Sequence, residues 1–148
     1  MLGLDHYCGS ISKIDAYIKG KYKYKINKNK QSVISIVDKL KNNCFDNVSW
    51  VELFFNSNVH ILGLSLDFSE TDLWWVLNKR ARLMLSHNIN NKIYFYDSNI
   101  SDDKKSLLKS MNVIVVERER EGNDYLSAHN LLMTDLKNNL TSSKLIAA

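Results

Sequence analysis

Apolar residues recur along this chain in two rhythms, and the rhythm changes near residue 59. Ile11, Ile14 and Ile18 stand at helical spacing in 10–19, with Ser10 or Ser12 as a cap. Val33, Ile36, Val37 and Leu40 repeat that spacing, which predicts a helix over 31–43. Trp50, Leu53 and Phe54 share one face of a short predicted helix over 49–55, and Asn56-Ser57-Asn58 ends it. From Val59 onward short apolar runs alternate with amphipathic stretches. Strands are predicted at 59–64, 92–97 and 113–117, separated by helices at 69–87 and 101–111 and followed by a helix from about Asn123 to Asn139.

Strand and helix alternating with short links imply parallel strands joined by right-handed crossovers. The expected fold is therefore α/β and Rossmann-like, three-layered, with a small, mostly parallel sheet and flanking helices. Residues 1–140 read as a single domain and 141–148 as a disordered tail. In the 69–87 helix Leu73, Leu77, Ala81 and Met84 are expected to line the core, with Trp74 or Trp75 beside them. Lys79, Arg80 and Arg82 are expected to be solvated, or paired with Glu70 and Asp72.

Composition narrows the class. The chain has 148 residues, 45% hydrophobic and 24% charged, as ordinary globular proteins do. No apolar run approaches the roughly 20 residues that span a bilayer, and no signal peptide is evident. Cys8 and Cys44 make no metal-ligand spacing, and a cytoplasmic location would keep both reduced. No metal is expected. The net charge of +4 is unevenly placed: residues 1–50 hold nine Lys against four Asp, whereas 51–148 hold eleven basic and twelve acidic residues. The excess lies in Lys19 to Lys30, where Lys21, Lys23 and Lys25 alternate with Tyr22, Tyr24 and Ile26. Such a run forms a solvated hairpin or loop, or binds single-stranded nucleic acid through phosphate contact and stacking.

Chemistry is concentrated in Val59 to Trp75. Gly63 admits close backbone approach, Ser65 offers a hydroxyl at the strand's end, and Ser69, with Glu70 and Asp72 behind it, is placed to open the next helix. A strand entering a helix through a turn is where open α/β sheets place ligands. A Ser69 cap would leave backbone N–H groups for a phosphate, although Asp67, Glu70 and Asp72 already supply negative charge there.

Gly63-Leu64-Ser65-Leu66 resembles the Gly-Thr-Ser-Leu signature of sirtuins, with Leu64 in place of the usual Thr. The continuation Asp67 to Trp75 is more similar to the bacterial sirtuin-like proteins of phage defence, and Leu2 to Tyr7 looks like the segment after their catalytic His-Gly. The resemblance implies an NAD or ADP-ribose site with Gly63, Ser65 and Leu66 against ribose and phosphates. Asp97 would occupy the position of the sirtuin Asn that meets the adenosine ribose; the alternative is an Asp beginning a turn into Ser98-Asn99. The family's glycine-rich loop and His-Gly pair are missing, so the chain reads as a partial domain, inactive alone, that would cleave NAD only with a catalytic half supplied elsewhere.

The other reading is a non-enzymatic interaction or oligomerisation protein using an exposed sheet or apolar face. The histidines add little. His60 is expected to be hydrogen-bonded in the core, His6 is not oriented by Asp5, His87 falls at a helix end and His129 on the last helix. Glu117 to Glu121 reads as a solvated strand end.

Overall fold

A computed structural model describes residues 3–26, 29–47, 49–67, 69–120, 122 and 124–146. The side chains of residues 1–9, 24–30 and 142–148 lie outside the description, and with them the expectations for His6, Cys8, Tyr24, Lys25 and Ile26. The chain runs α1 (Gly3–Ile18), β1 (Lys23–Ile26), β2 (Asn29–Ser32), α2 (Ile36–Asn42), α3 (Trp50–Asn56), β3 (Val59–Leu62), α4 (Thr71–Met84), β4 (Ile93–Asp97), α5 (Asp102–Ser110), β5 (Val113–Glu117) and α6 (Tyr125–Ile146). It divides into two compact units, residues 1–58 with 66–91 and residues 59–65 with 92–148.

The second unit holds the expected α/β layout. Its sheet has the order β3-β4-β5 and is parallel throughout. Val59 pairs with Ile93 and Ile93 with Val113, so the three strands start level. Central β4 is buried from Ile93 to Tyr96, as a strand covered on both faces must be. Its residues alternate between those faces. Lys104 of α5 sets its ammonium 4.9 Å from the Phe95 ring centroid, whereas Leu132 and Leu136 of α6 pack with Tyr94, Tyr96, Leu62 and Val116. The two helices therefore cover opposite faces, giving three layers. Helix α6 carries on to Ile146, beyond the end at Asn139 that the pattern predicts.

The first unit departs from its predicted elements in three places. Helix α1 starts at Gly3, so Ser10 and Ser12 lie inside it and not at its start. Helix α2 starts at Ile36, not near residue 31, because 29–32 pair antiparallel with 23–26 and Val33 N–H donates to the Tyr22 carbonyl at 3.0 Å. Ser35 then caps α2, its Oγ accepting from Asp38 N–H at 3.1 Å. The Lys/Tyr run is thus one arm of a hairpin, one of the forms expected of it.

Helix α4 starts at Thr71, and Ser69 does not cap it. Glu70 occupies the cap position without a side-chain bond, and its N–H donates to the Asp67 carbonyl at 3.0 Å, so Ser69 is spent inside a preceding turn. The buried stripe of α4 is Val76, Leu77 and Arg80, while Leu73, Ala81 and Met84 are half-buried and Trp75 is exposed. Arg80 shares the stripe because it stands one turn beyond Val76 and Leu77. Its guanidinium is fully buried and donates to the Asn91 carbonyl and, at 3.2 Å, to Met84 Sδ. Lys79 bonds Asp15 of α1 at 3.2 Å, not Glu70 or Asp72. Both basic residues were expected to be solvated or paired with Glu70 and Asp72; Asp15 and Asn91, outside that helix, hold them instead.

Candidate functional site

Two of the four sequence-derived site residues meet at the carboxyl end of the parallel sheet. Gly63 follows β3 with a φ of 72°, a backbone setting that side chains other than glycine's resist. A Cβ there would meet nothing within 4 Å, so glycine serves the turn and leaves open main chain beside it. Asp97 closes β4, the neighbouring strand. Its Oδ1 accepts from Ser98 N–H at 2.8 Å, and Asn99 follows with a φ of 53°. The expected turn into Ser98-Asn99 is therefore present, and the carboxylate stands at its start. Gly63 and Asp97 both line a cleft of about 430 Å³.

Helix α6 supplies the other wall, through Tyr125, Leu126, Ala128, His129 and Leu132. Asp124 precedes the helix and accepts from Ser127 N–H at 3.0 Å; the Ser127 hydroxyl first, and then that N–H, hold its carboxyl below the usual range. Arg118 Nε and Nη2 each lie 2.7 Å from a different oxygen of Asp135, which ties α6 to the chain leaving β5. Arg120 lies 4.0 Å from the Tyr125 ring centroid and donates through Nε to the Gly122 carbonyl at 3.0 Å. Glu117 accepts from Ile100 N–H at 2.7 Å and ion-pairs with Lys105 at 2.7 Å. So Glu117, Arg118 and Arg120 are engaged, not merely solvated as their alternating charges suggested.

Beneath the cleft runs a polar chain through the sheet's α6 face. Asn139 Nδ2 donates to the Tyr96 hydroxyl at 3.0 Å, and that hydroxyl lies 2.9 Å from His60 Nδ1. The His60 ring stacks on Tyr94 at 4.7 Å with 4° between planes. Burial lowers the His60 pKa and raises that of Tyr96, so the neutral pair is favoured: Tyr96 donates and Nδ1 accepts. His60 Nε2 is buried without a partner among the described residues. The expected hydrogen bond is thus found, made by Tyr96, but His60 is half-buried and not a core residue.

No family model matches this chain, and no curated protein or solved structure matches it.

The other two site residues fall elsewhere. The Ser65 carbonyl accepts from the Lys104 ammonium, which anchors the turn after β3 to α5, but Ser65 does not line the cleft. Leu66 is buried, with a φ of 49°, and belongs to the other compact unit. Tyr125, His129 and Arg120 were not foreseen as site residues; no local motif marks them, because α6 reaches the cleft only through folding. Among the described residues no group of three or more His, Cys, Asp or Glu could hold a metal ion, and no helix is long and apolar enough to cross a membrane.

Proposed function

We propose that the cleft at the carboxyl ends of β3 and β4 binds a nucleotide of the NAD or ADP-ribose class, and that the chain does so without catalysing its cleavage. The observation that carries this reading is the meeting of Gly63 and Asp97 on one cleft, at adjacent parallel strand ends where α/β sheets receive ligands. Asp97 has a carboxylate to accept from ribose hydroxyls. Tyr125 and His129 offer rings to a base, and Arg120, seated on the Tyr125 ring, brings a cation for phosphate. The sirtuin-like turn at Gly63 to Leu66 supports the same ligand class. The sequence has no glycine-rich loop and no His-Gly base, so catalysis would need groups from a partner. A place in phage defence rests on that resemblance alone.

Calorimetric titration with NAD and ADP-ribose tests the reading. Wild type should bind, Asp97→Ala should weaken binding about tenfold or more, and Ser65→Ala should do so less. Absence of heat at millimolar ligand would remove the nucleotide.

A second reading, self-association, is favoured by α6. Tyr125, Leu126, Leu131 and Leu140 are 62%, 71%, 51% and 44% exposed along that helix. Sedimentation velocity over a concentration series separates the two, since an interaction helix predicts a dimer that Leu126→Lys disperses.

A further inference from the structure

The basic excess noted in the sequence acquires a shape within the unit formed by residues 1–58 and 66–91. A cleft of about 500 Å³ there is lined by Lys19, Lys21, Lys79 and Arg82 together with Ser35, and by no carboxylate. The cations come from the end of α1, the link into β1, and α4, so folding alone assembles them. Asp15 offsets part of the charge, lying 2.5 Å from Lys19 and 3.2 Å from Lys79. The exposed Asp38 also accepts from the Ser35 hydroxyl at 2.6 Å, so two carboxylates stand against four cations, an excess of about two positive charges around one concavity. Lys21, Arg82 and Lys19 are exposed, and Lys23 continues the basic run along β1.

One aromatic ring adjoins these cations, and a second follows Lys21 in the chain. Trp75 is 36% exposed, one turn before Lys79 on α4, with the Lys79 ammonium 4.8 Å from its ring centroid. Tyr22, also 36% exposed, directly follows Lys21, but its ring leans on Tyr17, with centroids 6.1 Å apart, and lines a separate cleft of about 340 Å³ in the same unit. Phosphate-binding cations beside accessible ring faces are the two components of a single-strand platform. A duplex offers its phosphates but keeps its base faces stacked, and so would leave both rings unused.

We propose that this cleft binds the backbone of a single-stranded nucleic acid, with Lys21 and Arg82 on phosphates, Trp75 as a stacking face beside Lys79 and Tyr22 as one beyond Lys21, over the next cleft. Neutralising about two phosphates of a single strand gives a slope near −1.4 for log affinity against log salt.

The test is fluorescence polarisation of the full chain with labelled oligo(dT) and oligo(U) of roughly 12 nucleotides. A duplex of equal length and phosphatidylserine vesicles serve as competitors. The single strands should bind with that salt slope. Lys21→Glu combined with Arg82→Glu should abolish binding, Lys21→Arg with Arg82→Lys should retain it, and Trp75→Ala with Tyr22→Ala should weaken it severalfold with an unchanged circular dichroism spectrum. No binding at about 50 mM salt, or binding that survives charge reversal, overturns the proposal. So does competition by duplex or vesicles at strength equal to single strand, or affinity unchanged by removing both rings.

Discussion

Lys39 and Glu52 form an ion pair of 2.6 Å from which water is almost wholly excluded, their side chains being 1% and 0% exposed. Glu52 Oε1 also accepts from the Tyr17 hydroxyl, Oε2 accepts from Asn47 N–H at 2.9 Å, and Lys39 reaches Asp46 at 2.6 Å. One carboxylate thereby joins α1, α2, α3 and the loop between the last two. Removing one member of a buried pair strands the other charge, so Glu52→Ala should cost about 3 kcal/mol or more in urea unfolding. Replacing both residues by apolar ones, as in Lys39→Met with Glu52→Leu, should cost less than the single change.

The same pair sets an alkaline limit. Burial alone would push the Lys39 ammonium down, but bonds and charges from Asp46 and Glu52 outweigh it and leave the pKa above its ordinary 10.5. A raised folded pKa gives stability that is complete below 10.5 and disappears as pH climbs through the higher folded value. Melting temperature should therefore fall steeply on that alkaline side in wild type, and less steeply in Lys39→Met.

His60 works in the opposite direction. Its folded pKa lies below the ordinary 6.5, so the unfolded chain takes up the proton first. Stability should be full above pH 6.5 and should fall as pH drops from there towards the folded pKa. His60→Phe should flatten that part of the melting profile. Tyr96→Phe should lose about 1–3 kcal/mol, since it leaves His60 Nδ1 and the Asn139 amide without their shared hydroxyl.

Two glycines should respond differently to one methyl group. Gly63→Ala meets only the strain of a φ of 72°, about 1 kcal/mol, because its Cβ would enter open space. Gly20→Ala combines a φ of 70° with a Cβ 2.8 Å from Ser35 N, which forces the backbone apart before α2. Chemical denaturation of the two variants should rank Gly20→Ala as clearly the worse.

Periodicity was enough to place β5 at Val113–Glu117 to the residue, and to place β3, β4 and α5 within two residues at each end. Those elements are legible because their patterns mirror the faces they bury: β4 is apolar along its length since both sides are covered. Local pattern misled where a long-range partner competed. Val33, Ile36, Val37 and Leu40 look like one helix, but the strand at 23–26 captures the backbone before Ser35 and leaves only the later three to the helix. Arg80 looks like a surface residue because no sequence window shows Asn91 waiting for its guanidinium.

The candidate site divides along the same line. Gly63 and Asp97 could be singled out in advance, because a turn after a strand and an acid ending the next one are local features, and parallel pairing then brings strand ends together. Tyr125, His129 and the Asn139–Tyr96–His60 chain depend on where α6 settles across the sheet. The cationic cleft is of this kind too, since Lys21 and Arg82 are separated by most of the first unit. Sequence by itself determined the α/β class, the parallel sense of the strands and the charge of the Lys/Tyr run, all products of short-range periodicity and composition. Tertiary structure alone decided which distant side chains share a cleft, because that follows from packing between elements that no local rhythm encodes.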